Sequence, residues 1–497
     1  MNTHSSTSDS YIVSLDVGSS SVRTLIFDSG GRPMEGYSAQ LPYEIRTTAD
    51  GGAEIDPEAL ANLVMDCLDE MHRQVKNAGF KIAAVTSSVF WHSVCGLDAN
   101  DVLTTPLYHL LDTRCAEDVK LVPDTHARTG CVPHSSYWPA KLLWLERTQP
   151  MKFRATHRWV GFPEYLFLRL FGRSRVSTSM ISATGLWDQN ANDYDAESLE
   201  ALHITPDHLA EARPADVPHL DAPEHELIRH FREMWPLFDS VPWFPSLGDG
   251  AANSVGSGAA GPGQFSLMVG TTGAMRAVIE APTLTIPPGV WCYRLDRKRF
   301  VLGGALSNGG DVYAWLKRTL VMPRDLESRL EAAVPGSHGL TVLPFFAGER
   351  SPYWRADLRA AITGMTLATE PFDIFQAFLE SVALGFRDIY GTLEKAVGGG
   401  QQITASGGAL FRSPGWTQMM ADALQRPITA CTETEASSRG AVVWGLEQMR
   451  AIPNLAALPV SLGADFLPNA AHQEAWRQLA GSREELVKKL YEIPNDT

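Results

Sequence analysis

One short motif occurs twice, half a chain apart. Residues Tyr11–Asp28, YIVSLDVGSSSVRTLIFD, set two runs of Val, Ile, Leu and Phe around a small polar tip, Gly18-Ser19-Ser20-Ser21. That pattern predicts a β-hairpin. Residues Leu267–Val278, LMVGTTGAMRAV, echo it: Val17-Gly18-Ser19-Ser20 with Val22-Arg23 is answered by Val269-Gly270-Thr271-Thr272 with Met275-Arg276. Gly270 follows Gly18 by 252 residues in a chain of 497. Short repeat periods mean solenoids; this one predicts two related domains facing each other across a cleft, each offering a hydroxyl-rich loop.

Asp16 stands near the end of the first strand. An acid beside a Gly/Ser turn with outward backbone N–H groups suits a metal-bound polyphosphate, the amides taking phosphate oxygens and the acid facing Mg²⁺. An ordinary surface hairpin with a solvated Asp is the simpler alternative, and the second copy argues against it.

The length exceeds one ordinary core and fits two large domains or three smaller ones. A net charge of −15 gives no positive field to recruit nucleic acid or an anionic membrane. A local basic cluster can still hold an anionic small molecule. Six scattered cysteines without CxxC or tight His/Cys spacing favour free thiols in a reducing cytoplasm. The polar first ten residues lack an apolar export core, and no apolar run reaches membrane-span length. A soluble, cytoplasmic protein is expected.

Along the chain, a third strand is expected through 34–45, then a helix opened by Asp56-Pro57-Glu58 and closed by Gly79. Leu60, Leu63, Val64, Cys67, Leu68, Met71 and Val75 recur at helical spacing, so one face is expected to be buried. A strand Ile82–Ser88 leads into Phe90-Trp91-His92. Helices are expected over 139–148 and Pro163–Phe171, and long connections around one short helix over 203–246. In the second half, strands Phe265–Val269, Phe300–Leu306, Leu340–Phe346 and Ile403–Ser406 alternate with helices Val312–Leu320, Phe372–Leu393, Gly415–Leu424 and Ala436–Met449. A tail helix is expected near 471–490. Strands in a row, then helix, then strand indicate α/β layering.

Three groups of residues carry candidate chemistry. Trp91 and His92, with Asp112 and Arg114, lie just past strand-like segments, where open α/β sheets place ligand contacts. Together they can hold a polyhydroxylated substrate; taken singly, either group reads better as a core Trp with a satisfied His. Asp249, between Gly248 and Gly250 and entering a small-residue helix Ala251–Ala259, is an approachable carboxylate of the kind a general base requires; a plain turn or N-cap acid is the alternative. Gly407-Gly408, between a strand and a helix, can let a flat base slide against backbone, or merely permit close packing. Gly256–Gly261 fits GxGxxG, yet it closes a helix instead of following a strand, so it is not a dinucleotide fingerprint. There is no GxxxxGK[ST] and no protein-kinase His-Arg-Asp loop.

Taken together, these residues resemble the FGGY carbohydrate kinases, members of the actin/hexokinase/Hsp70-like ATPase superfamily, over about 11 to 450. LDVGSSSVRTLIFD is similar to the family's first phosphate loop, and SYWPAKLLWLE to its first signature, with Trp138 where Pro, Ser or Thr is usual. AITGMTLATEPFDIFQAFLE resembles the second signature, with Phe378 where a smaller residue is usual. SGGALFRSPGWTQMMADALQRPI resembles the adenosine-binding segment. SSVFWHS, TGCVPHSSYWPAKLLWL, SATGLWD, CYRLDRKRFVLGGALSNGG and GERSPYW look most like the gluconokinase branch. Phe90-Trp91 before His92 and Leu110-Leu111 before Asp112 depart from it, both at the sugar pocket.

The resemblance implies two RNase H-like (actin-like ATPase) domains with a central cleft, closing on MgATP and a sugar. The expected divisions are 11–246 for sugar, 247–450 for nucleotide and 451–497 for a helical tail. It further implies that Asp16 serves Mg²⁺ and that Gly18, Ser19 and Ser20 take phosphate. Gly270, Thr271 and Thr272 would hold the β/γ end of ATP, Asn308, Gly309 and Gly310 would run along the nucleotide, and Gly407 and Gly408 would meet adenosine. Asp249 would be the base, with Trp91, His92, Asp112 and Arg114 near the sugar. The expected reaction is ATP-dependent phosphorylation of a terminal hydroxyl on a small sugar acid or ketose, gluconate foremost and a xylulose-type pentulose next. A cation for a gluconate carboxylate can come from Arg114, His92 or Lys141. A non-catalytic, actin- or Hsp70-like ATP-binding clamp is the rival from another class. A homodimer is allowed by the sequence and not indicated by it.

Overall fold

A computed structural model of the chain describes residues 10–210, 220–398 and 402–491. The predicted hairpin is present as β1 (Ser10–Val17) and β2 (Ser21–Phe27), continued by β3 (Pro33–Pro42). Helix α1 (Pro57–Ala78) begins because the Asp56 carboxylate accepts the N–H groups of Glu58 and Ala59. It ends where Gly79 takes a left-handed conformation, a conformation that costs glycine no Cβ clash. Strands β4 (Lys81–Val89) and β5 (Leu247–Gly248) complete the first sheet in the order β5-β4-β1-β2-β3, with β1–β3 antiparallel and β4 and β5 parallel to β1.

Helix α2 (Asp249–Gly256) leaves β5 directly, so Asp249 is its first residue, two earlier than the alanine run suggested. The second hairpin then follows as β6 (Gln264–Val269) and β7 (Gly273–Glu280), with β8 (Trp291–Arg294) and β9 (Arg299–Leu306) beyond. Helices α3 (Gly310–Thr319) and α4 (Pro371–Val397) lead to β10 (Gln402–Ser406). Helix α5 (Pro414–Leu424), β11 (Ile428–Cys431), α6 (Ala436–Gln448), β12 (Leu462–Phe466) and α7 (Gln473–Leu490) complete the chain. The second sheet runs β8-β9-β7-β6-β10-β11-β12. Its middle five strands repeat the first sheet strand for strand: an antiparallel meander (β6, β7, β9), then two parallel additions (β10, β11). The duplication seen in twelve residues therefore extends to whole sheets.

The two halves meet at matched helices. Helix α2 follows the last parallel strand of the first sheet, and α6 follows β11 of the second. They cross backbone to backbone: a Cβ on Gly256 would lie 1.7 Å from the Ala436 carbonyl oxygen, and one on Gly440 would lie 1.8 Å from that of Ala252. Helix α6 lies on β1 and β4 of the first sheet, while α2 touches β7 of the second. The GxGxxG-like stretch thus contributes Gly256 to a helix crossing, not a phosphate loop.

The segment expected as a strand over Leu340–Phe346 is extended only at Thr341–Leu343, paired with Ala361–Thr363. No helix among the described residues is long and apolar enough to cross a membrane.

Candidate active site

Three parallel strands bring the key acids to one edge. Asp16 on β1 stands opposite Ser88 of β4, and Gly248 of β5 stands opposite Val89. Asp249 therefore emerges two strands from Asp16 at the carboxyl ends of the parallel strands, a separation of roughly 10 Å from ordinary strand spacing.

Asp16 is 3% exposed. The hairpin register places Arg23 across from it. One Arg23 nitrogen donates to Asp16 at 3.1 Å and the other to Glu435, at the start of α6, at 2.9 Å. Burial pushes the Asp16 carboxyl up, opposed by Arg23 and the Ser88 hydroxyl. The loop beside it is braced from below: Gly18 N–H donates to Ser21 O, and Tyr43 gives its N–H to Ser20 O and its hydroxyl to Gly18 O. Ser19 and Ser20 stay exposed, as a phosphate-receiving tip requires.

Asp249 accepts the Gly250 N–H at 2.7 Å. Burial pushes its carboxyl up to about 6; Arg276 opposes the shift and Asp16 adds to it. The flanking glycines serve differently from the expected substrate approach. A Cβ on Gly248 would fall 1.8 Å from Trp91 Cε2, and one on Gly250 would lie 2.7 Å from Trp91 Cζ3. It is the Trp91 ring that comes close to this backbone, with its Nε1–H donating to Ser179 O.

Trp91 opens an aromatic wall that spans both halves of the chain. Its ring meets Trp291 and Tyr293 edge-on, Trp291 stacks on Tyr293 at 4.4 Å, and the Tyr137 and Tyr293 hydroxyls are 2.6 Å apart. Strand β8 is pinned to the first half through Cys292 N–H to Gly130 O and Arg294 N–H to the Ser182 hydroxyl. His92 joins this wall in a left-handed conformation (φ 68°), with Nδ1 2.8 Å from Ala183 O. Burial lowers its pKa to about 3, so the ring is neutral, Nδ1–H donates and Nε2 is an acceptor.

Asp112 and Arg114 belong to a neighbouring cluster. Asp112 accepts the Ala53 and Arg114 N–H groups and two guanidinium bonds, and Arg114 also holds Glu54 at 2.7 Å. Arg114 lies over the Trp144 ring at 4.6 Å. Neither residue bonds Trp91, His92 or Asp249 among the described residues. Lys141 is 1% exposed and donates to Ser135 O.

Two arginines, Arg276 buried and Arg350 half-buried, were not singled out from the sequence as site residues. Arg276, on β7, is 8% exposed, and a Cβ on Gly250 would lie 3.0 Å from its Nε. Arg350 donates to Leu306 O at 2.8 Å and sits among His92, His134, Tyr137 and Tyr293. The second hairpin also departs slightly from the sequence echo. Val17 pairs with Val22, but Val269 pairs with Gly273, so the second turn is one residue shorter. The counterpart of Arg23 is then Ala274, and Arg276 lies one pleat further along the same face. The available signal was a charge inside an otherwise apolar strand.

The second loop faces a cleft of about 770 Å³ lined by Gly270, Thr271, Gly310, Tyr313, Gly408 and Arg412. Gly310 N–H donates to Gly270 O and Asp311 N–H to Thr271 O, locking the loop to the start of α3. Thr272 is exposed beside them. Gly309 gives its N–H to the Asp311 carboxylate at 2.7 Å. Asn308 is buried and braces the adjoining loop, donating to Gly348 O and accepting the Ala347 N–H. The Gly407-Gly408 pair divides its work. At φ 102°, Gly407 has a Cβ direction that would meet Val269 O at 2.4 Å, so it permits close packing, while Gly408 is open to the cleft.

Comparison with known proteins finds a family model in each half of the chain. Residues 11–256 match the N-terminal domain model of the FGGY family of carbohydrate kinases, and residues 265–449 match the C-terminal domain model. The chain is 27% identical to a gluconokinase of Bacillus subtilis over 92% of its own length and 91% of that protein. The crystal structure of gluconate kinase from Lactobacillus acidophilus matches at 25% identity with a TM-score of 0.89, covering 97% of this chain and 98% of that one. A ligand-bound xylulose kinase from the same organism matches at 25% identity and 0.88 over the same shares.

Proposed function

The chain belongs to the FGGY family of carbohydrate kinases, phosphotransferases with an alcohol acceptor, and from that premise we propose that it uses MgATP to phosphorylate a terminal hydroxyl of gluconate. The observation that carries this reading is the position of Asp249: a carboxyl with a pKa raised to about 6, at the same sheet edge as Asp16, reached from the second half by Arg276. The preference for gluconate rests on similarity to the gluconokinase and gluconate kinase above.

Phosphoryl transfer needs positioning and charge neutralisation more than covalent chemistry. Asp249, ionised above about pH 6, accepts the proton of the attacking hydroxyl, as a general base must. Gly18, Ser19 and Ser20 on one side, and Gly270, Thr271 and Thr272 on the other, offer N–H and hydroxyl donors to the phosphates. Gly309 and Gly310 lie along the nucleotide, with Asn308 bracing the adjoining loop. Gly408 leaves room for adenosine in the cleft that Tyr313 and Arg412 line, and Gly407 lets the turn before it pack closely.

Asp16 fits a magnesium role: a buried hard oxygen donor beside serine hydroxyls suits an ion that binds through one or two carboxylates plus substrate phosphates. Bound there, Mg²⁺ neutralises charge on the phosphate oxygens. Trp91 and His92 line the sugar, while Asp112 and Arg114 hold the wall behind it. Six unpaired, buried cysteines suit a reducing cytoplasm.

The test is ADP release by the purified chain with MgATP over a panel of sugar acids, ketoses and polyols. Gluconate should give the highest kcat/KM. Preference for xylulose would replace gluconate by the second reading, which the xylulose kinase likeness supports. Release indifferent to every sugar would contradict both.

A further inference from the structure

Gluconate differs from the polyols and ketoses of similar size by a carboxylate, and a pocket selecting it needs an uncommitted cation. The candidates from sequence are all committed. Arg114 is paired with both Asp112 and Glu54, His92 is neutral, and the Lys141 ammonium is buried in that same neighbouring cluster, facing Asp112. Arg276 is different. Its Nε and Nη1 are buried with no hydrogen-bond partner among the described residues, and the guanidinium stands 6.0 Å from the centroid of the Trp291 ring. A guanidinium withdrawn from water beside an indole, with its fork empty, is costly unless an anion completes it.

Arg350 supplies a second positive charge. Its one side-chain bond among the described residues is to a neutral carbonyl. Its neighbour Glu349 accepts the Ser307 and Arg350 N–H groups through one oxygen and partly offsets the Arg350 charge. The two arginines are within electrostatic reach of each other, and Arg276 also feels Asp249, whose own near charges are Arg276 and Asp16. Arg276 stands beside the Asp249 segment, a Cβ on Gly250 falling 3.0 Å from its Nε, and Arg350 is anchored at the end of β9, on Leu306 O. A molecule with its terminal hydroxyl at Asp249 runs its other end toward the arginines.

We propose that Arg276 and Arg350 form an anion site in the sugar pocket that takes the substrate carboxylate and so selects a sugar acid over a neutral sugar. This rests on the gluconate reading above and names the residues that would enforce it. The planar fork of Arg276 suits bidentate binding of a carboxylate, and the neutral His92 accepts, through Nε2, a hydroxyl on the chain between.

The experiment compares kcat/KM for gluconate and for glucitol, its neutral polyol counterpart, in the wild type and in R276Q, R276K and R350Q. Wild type should favour the acid by at least 100-fold. Assayed at a pH above the acid limb of Asp249 in each protein, R276Q should lose most of that ratio, chiefly through KM for gluconate; R276K should retain an intermediate ratio. R350Q should lower the ratio as well, and it keeps the test alive should R276Q fail to fold. Gluconate turnover with the acid-to-polyol ratio intact in R276Q and R350Q overturns the arginine assignment alone. So does an equal loss on both substrates, or a loss in kcat with KM unchanged, since these place Arg276 behind Asp249. A wild type that phosphorylates xylulose and no sugar acid overturns the gluconate reading itself.

Discussion

Asp16 and Asp249 belong to strands on either side of β4, Asp16 level with Ser88 and Asp249 one residue beyond the partner of Val89. One carboxylate is paired with Arg23 and the other carries no ion pair among the described residues. The first already has a counter-charge in contact; the second, buried without one, is suited to taking a proton. Two like charges at one sheet edge also disfavour joint ionisation, and this contributes to the raised pKa of Asp249.

Activity should follow the ionisation of Asp249. Because the base must be deprotonated, kcat/KM for the sugar should fall about tenfold per pH unit below roughly pH 6 and level off above it. Arg276 holds the Asp249 pKa down, so R276Q should move that acid limb to higher pH. A pH–rate profile of both proteins on glucitol checks the direction.

The sign for stability is opposite. A carboxyl whose folded pKa lies above its unfolded value stabilises the fold most when protonated, and that contribution is lost as pH rises through about 6. Asp249→Asn should therefore raise Tm at pH 7.5, by on the order of 2 °C, in thermal melts run beside the wild type.

The helix crossing should tolerate no side chain. Gly440→Ala places a methyl 1.8 Å from the Ala252 carbonyl oxygen, which is backbone and cannot turn aside. A loss of about 3 kcal/mol or more in denaturant unfolding is expected. Gly391→Ala is the control, on the open side of α4 with nothing within 4 Å of its Cβ; it should be neutral or gain up to about 1 kcal/mol.

Arg114 should prove structural. Arg114→Met leaves Asp112, 2% exposed, without its ion-pair partner, and Glu54, 6% exposed, with only the exposed Arg46. The expected cost is about 3–5 kcal/mol of stability, read by chemical denaturation at neutral pH. A stable variant with a raised KM for gluconate alone would instead place Arg114 on the substrate.

Much of this arrangement was legible in the chain. Apolar runs broken by Gly/Ser or Gly/Thr turns announced both hairpins, and Asp56-Pro57 with Gly79 bounded α1. The Gly-Asp-Gly step isolated Asp249. Contacts between distant segments were not legible. Nothing local signals that β8 docks on residues 130 and 182, that Trp91 fills the space beside Gly248, or that Asp112 is consumed by Arg114. Arg276 was visible as an echo of Arg23, yet the shorter second turn carries it one pleat on, from a partner of the metal-side acid to a neighbour of the base. The meaning of a charge in a strand depends on which face and which neighbour the register gives it.

The most direct test is Asp249→Asn, followed by phosphoryl transfer to gluconate in a single turnover alongside titration with nucleotide. The variant should bind MgATP as the wild type does and lose about 10²–10⁴-fold in the transfer rate. Transfer at near-wild-type rate with binding intact would mean that some other group takes the hydroxyl proton, and would contradict the account.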